Sequence, residues 1–398
     1  MTGATAGARW IAIGVFLFAS TLNYLDRLLL GALAPAIRAD LDISYTTYGW
    51  IVFAFNIVYA LSSPLVGLFL DRAGLNRGIV AALGVWSAAT IATGWAAGLI
   101  SLVACRLLLG AAQSGGVPAF GKASAMYLAP PERTLGNALS QLGISMGGAS
   151  APLLAAWSVQ NYSWRAAFFI AGSLGFLWIP LWLLVSRRIS PRFHAKAGTP
   201  ADVRRILRLP QYWGYVAAAV LGMSCYSLWA NWTTVYFTET WHLSENAANT
   251  RFAWIPPLCG LAGGFTGGSV ALALARSGMA VQTARFRVCL TASVLLLVTA
   301  LVPYAPSPSA ATAIIGLSFF FSTCFSGNLY AMPIDAFGGE RAGFAIASLT
   351  FAFGLMTAFS APAIGKAMEL AGFGSVCVVA AVMPLCGSAV LWWTRERA

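Results

Sequence analysis

The chain has 398 residues and a formal net charge of +12, yet only 9% of its residues are charged and 59% are hydrophobic. Ordinary soluble domains carry roughly 25% charged residues, so this chain cannot cover a water-soluble surface, and lipid must be the solvent for most of its outside. The positive charge does not point to nucleic acid, because Lys and Arg fall between apolar runs and form no single basic face.

Taken in chain order, the stretch before Trp10 is too short for a folded domain. The apolar run after it continues through Asp26 and Arg27, past signal-peptide length, and is expected to remain as an uncleaved first membrane helix. A bilayer core of about 30 Å needs about 20 apolar residues per helix. That ruler marks runs near 10–37, 46–70, 77–97, 99–128, 134–159 and 164–186. After a polar gap come runs near 212–238, 247–274, 286–304, 310–334, 341–368 and 373–394. The expected fold class is therefore an all-α integral membrane protein with twelve transmembrane helices in two six-helix bundles. The gap carries Arg187, Arg188, Arg192, Lys196, Arg204, Arg205 and Arg208, and reads as a basic linker lying on an anionic inner leaflet. The domain reading is an N-terminal bundle over 1–187, a cytoplasmic linker over 188–211 and a C-terminal bundle over 212–398.

Basic residues set orientation. With the N-terminus in the cytoplasm, most Lys and Arg fall on the cytoplasmic side, among them Arg72, Arg77, Arg133, Arg285, Arg287 and Arg395. Arg38, Arg165, Arg251 and Lys366 fall outside, and Arg27, Arg106 and Lys122 fall within spans. Both termini are thus expected in the cytoplasm of a multi-pass, bacterial-type inner membrane protein. The cysteines all lie in apolar segments without metal-ligand spacing, so no metal or disulfide is expected.

The halves echo each other. Glu132-Arg133 leads into a helix ending Ser150-Ala151-Pro152, and Glu340-Arg341 into one ending Ser360-Ala361-Pro362. Asp71-Arg72-Ala73-Gly74 has its counterpart in Ala275-Arg276-Ser277-Gly278. Shared spacing in equivalent loops indicates a duplicated six-helix unit, hence pseudo-symmetric bundles. The loop after helix 2 places Gly67, Asp71, Arg72, Gly74 and Arg77 together. It closely resembles the signature loop of the major facilitator superfamily, with the last basic residue displaced by one. The resemblance implies two bundles rocking about a central site, with this loop controlling conformation.

Charges inside spans are the functional signal. A charge at mid-bilayer costs roughly 2.5–3.5 kcal/mol even on lenient scales, and Asp26, Arg27 and Arg106 are three such groups. A salt bridge that merely locks two helices accounts for Asp26 and one arginine, and leaves the second guanidinium to be satisfied. An incoming carboxylate matches its planar fork. Asn23-Tyr24-Leu25-Asp26-Arg27, Arg106-x-x-x-Gly110 with Pro118 and Lys122, and Pro130-Pro131-Glu132-Arg133 resemble the anion:cation symporter family of hexuronate and galactonate transporters. Phe252-Ala253-Trp254-Ile255-Pro256 also fits its hexuronate-type members. The likeness implies that Arg27 and Arg106 hold the substrate carboxylate, that Tyr24 and Tyr59 add hydrogen bonds, and that Asp26 binds the coupling proton. Many members carry a glutamate where this chain has Gln113, which cannot titrate, so a second proton site is lost.

A neighbouring guanidinium would hold Asp26 ionised. A substrate carboxylate competing for it would leave Asp26 desolvated beside a second negative charge and favour proton uptake. In the C-terminal half, Trp229, Asn231, Asn328 and Tyr330 are candidate substrate contacts, with Tyr226, Phe351 and Phe353 as further aromatics. The leading expectation is a proton-coupled importer of a sugar acid, such as a hexuronate, aldonate or aldarate, with the proton as coupling ion and no cofactor. The alternatives are a mono- or dicarboxylate carrier, and an uncoupled or antiporting carrier because of Gln113. Expected partners are a small carboxylate and the lipid bilayer; family members usually work as monomers. An enzyme is not expected, since no acid–base–nucleophile set is present. Gly143-Ile-Ser145-Met-Gly147 matches a hydrolase elbow only in letters, and reads as small-residue helix packing, as do Gly263, Gly264, Gly267 and Gly268. Pro180 and Pro333 are expected to kink helices.

Overall fold

The structure is a computed structural model that describes residues 6–128, 133–189, 204–337 and 339–395, and every regular element among them is helical. Nine segments of the described residues are long and apolar enough to cross a bilayer. The expected spans near 46–70, 99–128 and 212–238 are helical without being among those nine. The last two are each divided in mid-run, at Ser114–Gly115 and at Met223. The Pro130-Pro131-Glu132 turn and most of the basic linker lie outside the described residues.

The chain divides into two compact units, one of 1–195 with 243–254 and the other of 196–242 with 255–398. The first unit holds α1 (Ala6–Ala32), α2 (Ala34–Leu41), α3 (Tyr45–Ala73), α4 (Leu75–Gly94), α5 (Leu99–Gln113), α6 (Gly116–Tyr127), α7 (Arg133–Asn161) and α8 (Trp164–Arg188). The second holds α9 (Pro210–Gly222) and α10 (Ser224–Thr240). A short α11 (Glu245–Ala248) and a π-helical turn over Asn249–Ala253 then belong by their contacts to the first unit. Back in the second unit come α12 (Ile255–Arg276), α13 (Val281–Leu295), α14 (Pro308–Phe337), α15 (Gly339–Ala371) and α16 (Phe373–Arg395). The placement of 243–254 differs from a simple division at the linker. Asn249 Nδ2 donates to the Ala32 carbonyl at 2.9 Å and Asn246 Nδ2 to Gln160 Oε1 at 3.2 Å, which fastens this segment to α1 and α7.

The two halves of the sequence share backbone features. Among the described residues, Asp42 and His242 are the two non-glycine residues with positive φ, at 48° and 50°. Ser44 and Ser244 then cap the following helices, accepting from Thr47 N and Ala247 N at 3.1 and 3.2 Å. Each cap satisfies an otherwise unpaired amide at a helix start. Gly74 and Gly278 take positive φ (77° and 96°) in the two equivalent loops, a conformation that requires glycine.

Lipid-embedded helices gain little by hiding apolar surface from one another, so close backbone approach has to supply the packing. Gly143 and Gly147 bring α7 against α1; a methyl on Gly143 would meet the Leu17 carbonyl, and one on Gly147 the Leu25 amide. Gly263 and Gly267 press likewise on Phe320 and Cys324 of α14. Gly264 and Gly268 face open space, so only half of that glycine set serves close approach. Trp178 Nε1 donates to the Val15 carbonyl at 2.7 Å and stacks with Trp182, whose ring meets Phe16 edge-on. The helices containing Pro180 and Pro333 run on through them.

At the end of the first unit remote from the N-terminus, Asp40 accepts from Arg165 Nη1 at 2.8 Å and from Trp164 Nε1 at 3.2 Å. Arg165 Nη2 also reaches the Ala96 carbonyl. The Arg165 hydrogen bond, then the Trp164 one, holds the Asp40 carboxyl below the usual carboxylate range. Such a group stabilises the fold above its unfolded titration range, and that contribution fades as pH falls through the folded value. Acidification is therefore expected to lower the melting temperature of wild type more than that of Asp40→Asn. Parallel melts that fall equally would refute it. Gly147→Leu is expected to cost about 1–3 kcal/mol or more by overpacking, whereas Gly264→Ala gains up to about 1 kcal/mol of helix propensity; detergent-resistance assays on the two variants check the contrast.

Candidate functional site

The candidate site lies in the first unit, where α1 passes α3, α4 and α5. Asp26 and Arg27 are adjacent on α1, so they leave the helix about 100° apart and face different neighbours. Asp26 points inward, 1% exposed, and neither carboxylate oxygen completes a hydrogen bond. Beside it are Thr90 of α4 and the charge of Arg106 on α5. Gly110, one turn beyond Arg106, has no side chain where α5 meets the Phe55 carbonyl of α3, which lets α5 settle deeply enough to bring Arg106 in.

The two arginines do different things. Arg106 is 1% exposed, its Nε and Nη2 have no hydrogen-bond partner, and its guanidinium sits 5.2 Å from the Phe168 ring centroid. Arg27 is half-buried. Its Nη2 donates to Asn56 Oδ1 at 3.0 Å, and its Cζ stands 5.9, 5.2 and 5.0 Å from the ring centroids of Tyr24, Phe55 and Tyr59. Aromatic faces attract a cation by about 0.5–2 kcal/mol each, depending on desolvation. Asn56 is itself oriented by a bond from Nδ2 to the Val52 carbonyl at 2.9 Å.

Two expectations change as a result. Arg106 does not share an open chamber with Arg27 in this conformation; it is the interior counter-charge of Asp26. The second guanidinium is not left bare either, because Asn56 and three rings receive Arg27. These partners are neutral, so the positive charge of Arg27 remains available to an anion. Asn56, Phe55 and Thr90 were missed in the sequence. The available signal was a lone amide in the apolar run Phe53-Ala54-Phe55-Asn56-Ile57-Val58-Tyr59, one helical turn before Tyr59.

Gln113 is fully buried, with Nε2 donating to the Asn23 carbonyl at 3.3 Å and Oε1 unpartnered. It ties α5 to α1 without offering a titratable group. Lys122 caps the C-terminus of α3, donating to the Leu70 carbonyl at 2.9 Å. In the loop signature, Arg72 and Arg77 are exposed and Gly74 makes the turn; the side-chain surroundings of Gly67 and Asp71 lie outside the described residues.

In the second unit the candidates do not gather around a charge. Trp229 is 1% exposed, stacked on Phe373 and edge-on to Tyr236, which is a packing position. Asn231 and Asn328 each donate to the carbonyl four residues back, Ser227 at 2.8 Å and Cys324 at 2.9 Å. Asn328 keeps a buried, unpartnered Oδ1. Tyr330 packs against the core formed by Phe325, Leu329 and their neighbours, and Tyr226 meets Phe319 and Phe353.

Comparison with known proteins places this arrangement. The chain is 26% identical to the hexuronate transporter of Escherichia coli K12 over 98% of its own length and 95% of the relative's. It is 28% identical to the galacturonate transporter of Dickeya chrysanthemi over 66% of this chain and 81% of that one. Among solved structures, the inward-facing, unoccupied form of a bacterial homologue of the human lysosomal transporter Spinster matches with a TM-score of 0.74 at 17% identity, covering 99% and 96% of the two chains, which is a likeness of fold. Residues 16–361 match the family model of the Major Facilitator Superfamily. A helical, lipid-solvated chain with a duplicated unit, a glycine-turned loop after its second helix and charges buried mid-span belongs, on that match, to the Major Facilitator Superfamily of membrane transporters.

Proposed function

We propose that this protein carries a sugar acid across the membrane by alternating access, with the substrate carboxylate seated on Arg27 and Asp26 binding the coupling proton. The observation that carries the reading is a half-exposed guanidinium in a span, oriented by Asn56, Tyr24, Phe55 and Tyr59, with no anion among these partners. One of five arginine N–H donors goes to Asn56, leaving others for a bidentate carboxylate. The hexuronate and galacturonate transporters it resembles over much of their length support a sugar acid as substrate.

Coupling follows from adjacency. A carboxylate on Arg27 brings negative charge beside the buried Asp26, which already lacks hydrogen-bond donors, and proton uptake relieves the repulsion. By linkage, proton and substrate each strengthen the other's binding. The basic-residue bias favours cytoplasmic termini, and import down a proton gradient by a monomer completes the proposal. Gln113 supports a second reading, an uncoupled or exchanging anion carrier, because the position that would hold a second acid bonds to the Asn23 carbonyl and cannot titrate.

Galacturonate and glucuronate are expected to raise the melting temperature of the purified protein, and Arg27→Ala to abolish that shift, read against the variant's own ligand-free melt, which the lost contacts to Asn56 and the three rings lower. A panel in which neutral sugars stabilise as well as the acids would refute the substrate class. Arg106→Ala is expected to destabilise the protein by about 3–5 kcal/mol, since it strands a buried carboxylate, and a further Asp26→Asn change to recover part of that loss. A double variant no more stable than the single one would sink the pairing. In proteoliposomes, Asp26→Asn is expected to lose pH-driven accumulation while keeping substrate exchange; accumulation that survives the change would refute Asp26 as the coupling acid, and a wild-type protein that exchanges substrate without any pH-driven accumulation would decide for the second reading.

A further inference from the structure

The first unit contains a cavity too small for the substrate. It lies between α1, α4, α6 and α7, lined by Ser20, Asn23, Tyr24, Trp86, Gly116 and Ser140 among apolar neighbours, and Tyr24 is the side chain it shares with the surroundings of Arg27. Its volume is about 20 Å³, which holds a water molecule and excludes any sugar acid. Two of its lining side chains are deeply buried and have no protein partner for a donor: Asn23, 6% exposed, through Nδ2, and Trp86, fully buried, through Nε1. A buried donor without an acceptor costs about 1–3 kcal/mol, so two at one cavity mark a place built to present N–H groups to something small.

The geometry connects this cavity to the acid. Asp26 stands one turn above Asn23 on α1, and Thr90 one turn above Trp86 on α4, so both helices climb the same gap. The Thr90 hydroxyl lies beside Asp26, and Gln113 closes the gap from α5, its Nε2 on the Asn23 carbonyl and its Oε1 unpartnered. Gly116, at the break between α5 and α6, leaves room in the cavity: a methyl there would stand 2.9 Å from Asn23 Nδ2 and 3.9 Å from Trp86 Cζ3. We propose that the Ser20–Asn23–Trp86–Gly116 cavity is a hydrated antechamber through which Asp26 exchanges its proton, by a path that meets the surroundings of Arg27 only at Tyr24.

The step balances simply. A water oriented by Asn23 and Trp86 receives a proton from the bulk side and passes one on to a carboxylate oxygen of Asp26, which becomes the neutral acid; release runs in reverse. The charged and titratable groups facing Asp26 are Arg106 of α5, with Tyr48 of α3 and Cys105 of α5 next to that arginine; α4 presents Thr90 and α8 the Phe168 ring. None of these lines the cavity, whose lining holds one titratable side chain, Tyr24, and no charged residue, so the antechamber carries no charge that would repel a proton or trap an anion. Division of labour follows: Arg27 can stay occupied by substrate while Asp26 titrates.

The inference rests on Asp26 as the proton carrier, and its test needs no substrate. Infrared spectroscopy of the purified protein in lipid, after a pH jump, follows the Asp26 carboxyl signal, identified as the band that Asp26→Asn removes. Asn23→Leu, Trp86→Phe and Gly116→Ala are expected to slow that signal by about tenfold or more, the scale on which relay groups act, with its midpoint pH unchanged. Trp86→Phe keeps the ring and removes only the N–H, so a slowing there separates relay from packing. Rates equal to wild type in all three variants would overturn the antechamber, as would midpoints that move while rates stay fixed. Absence of any Asp26-dependent band would overturn both the antechamber and proton coupling, yet leave the carboxylate seat standing, because that is read from the Arg27 thermal shift.

Discussion

A carboxylate and a guanidinium buried together among helices of one bundle govern the rest of the site. Asp26 and Arg106 are each almost wholly withdrawn from solvent, and neither finds its full set of hydrogen bonds. Burial alone makes such a pair weakly favourable at best, since desolvation offsets most of the attraction. What it provides is a balance that small changes can tip. A second negative charge nearby or a proton arriving at Asp26 alters which arrangement of charges is lowest, which is the basis of the proposed coupling. Arg27 is the neighbouring residue and faces neutral partners, so in the proposed seating a carboxylate on it would bring charge within reach of that balance without displacing Arg106.

The surrounding packing keeps these groups where they are. Gly110 seats α5 on α3 at Phe55, Gly143 and Gly147 seat α7 on α1, and the Trp178 bond to the Val15 carbonyl fixes α8 against α1. Each contact uses backbone proximity or an indole hydrogen bond, the forms of cohesion that remain when lipid removes the hydrophobic incentive. The polar groups of the site are therefore held by small residues within about a helical turn, at Gly110 beside Arg106 and at Gly147 against Leu25, and a single added methyl group at either would be felt at the charges.

Much of this was legible before any coordinates. The dearth of charge required lipid as solvent, the doubled loop signature required a duplicated unit, and the cost of ionised groups in hydrocarbon singled out Asp26, Arg27 and Arg106. Hydropathy did not reveal that the two arginines part company, because adjacent residues on a helix look alike in a window while facing neighbours 100° apart. Asn56 was hidden for a related reason: a single amide in an apolar run gives no clue to its partner, which lies on another helix. Trp229 is buried and stacked on Phe373, an arrangement the letters do not reveal because an aromatic in a span serves packing as readily as binding. The segment 243–254 escaped because its anchors are asparagine amides reaching backbone and a glutamine, contacts that leave no pattern in the letters.

Lys122 donates to the main-chain oxygen of Leu70, whereas in the second unit Arg285 pairs with the Asp335 carboxylate. A peptide oxygen is a neutral acceptor, while a carboxylate brings a full charge of its own. The fastening at the foot of α3 therefore has one charged member, and the one near the end of α14 has two. The two units hold these ends by unlike chemistry, so dissolved salt would screen the ion pair of the second more strongly than the carbonyl contact of the first.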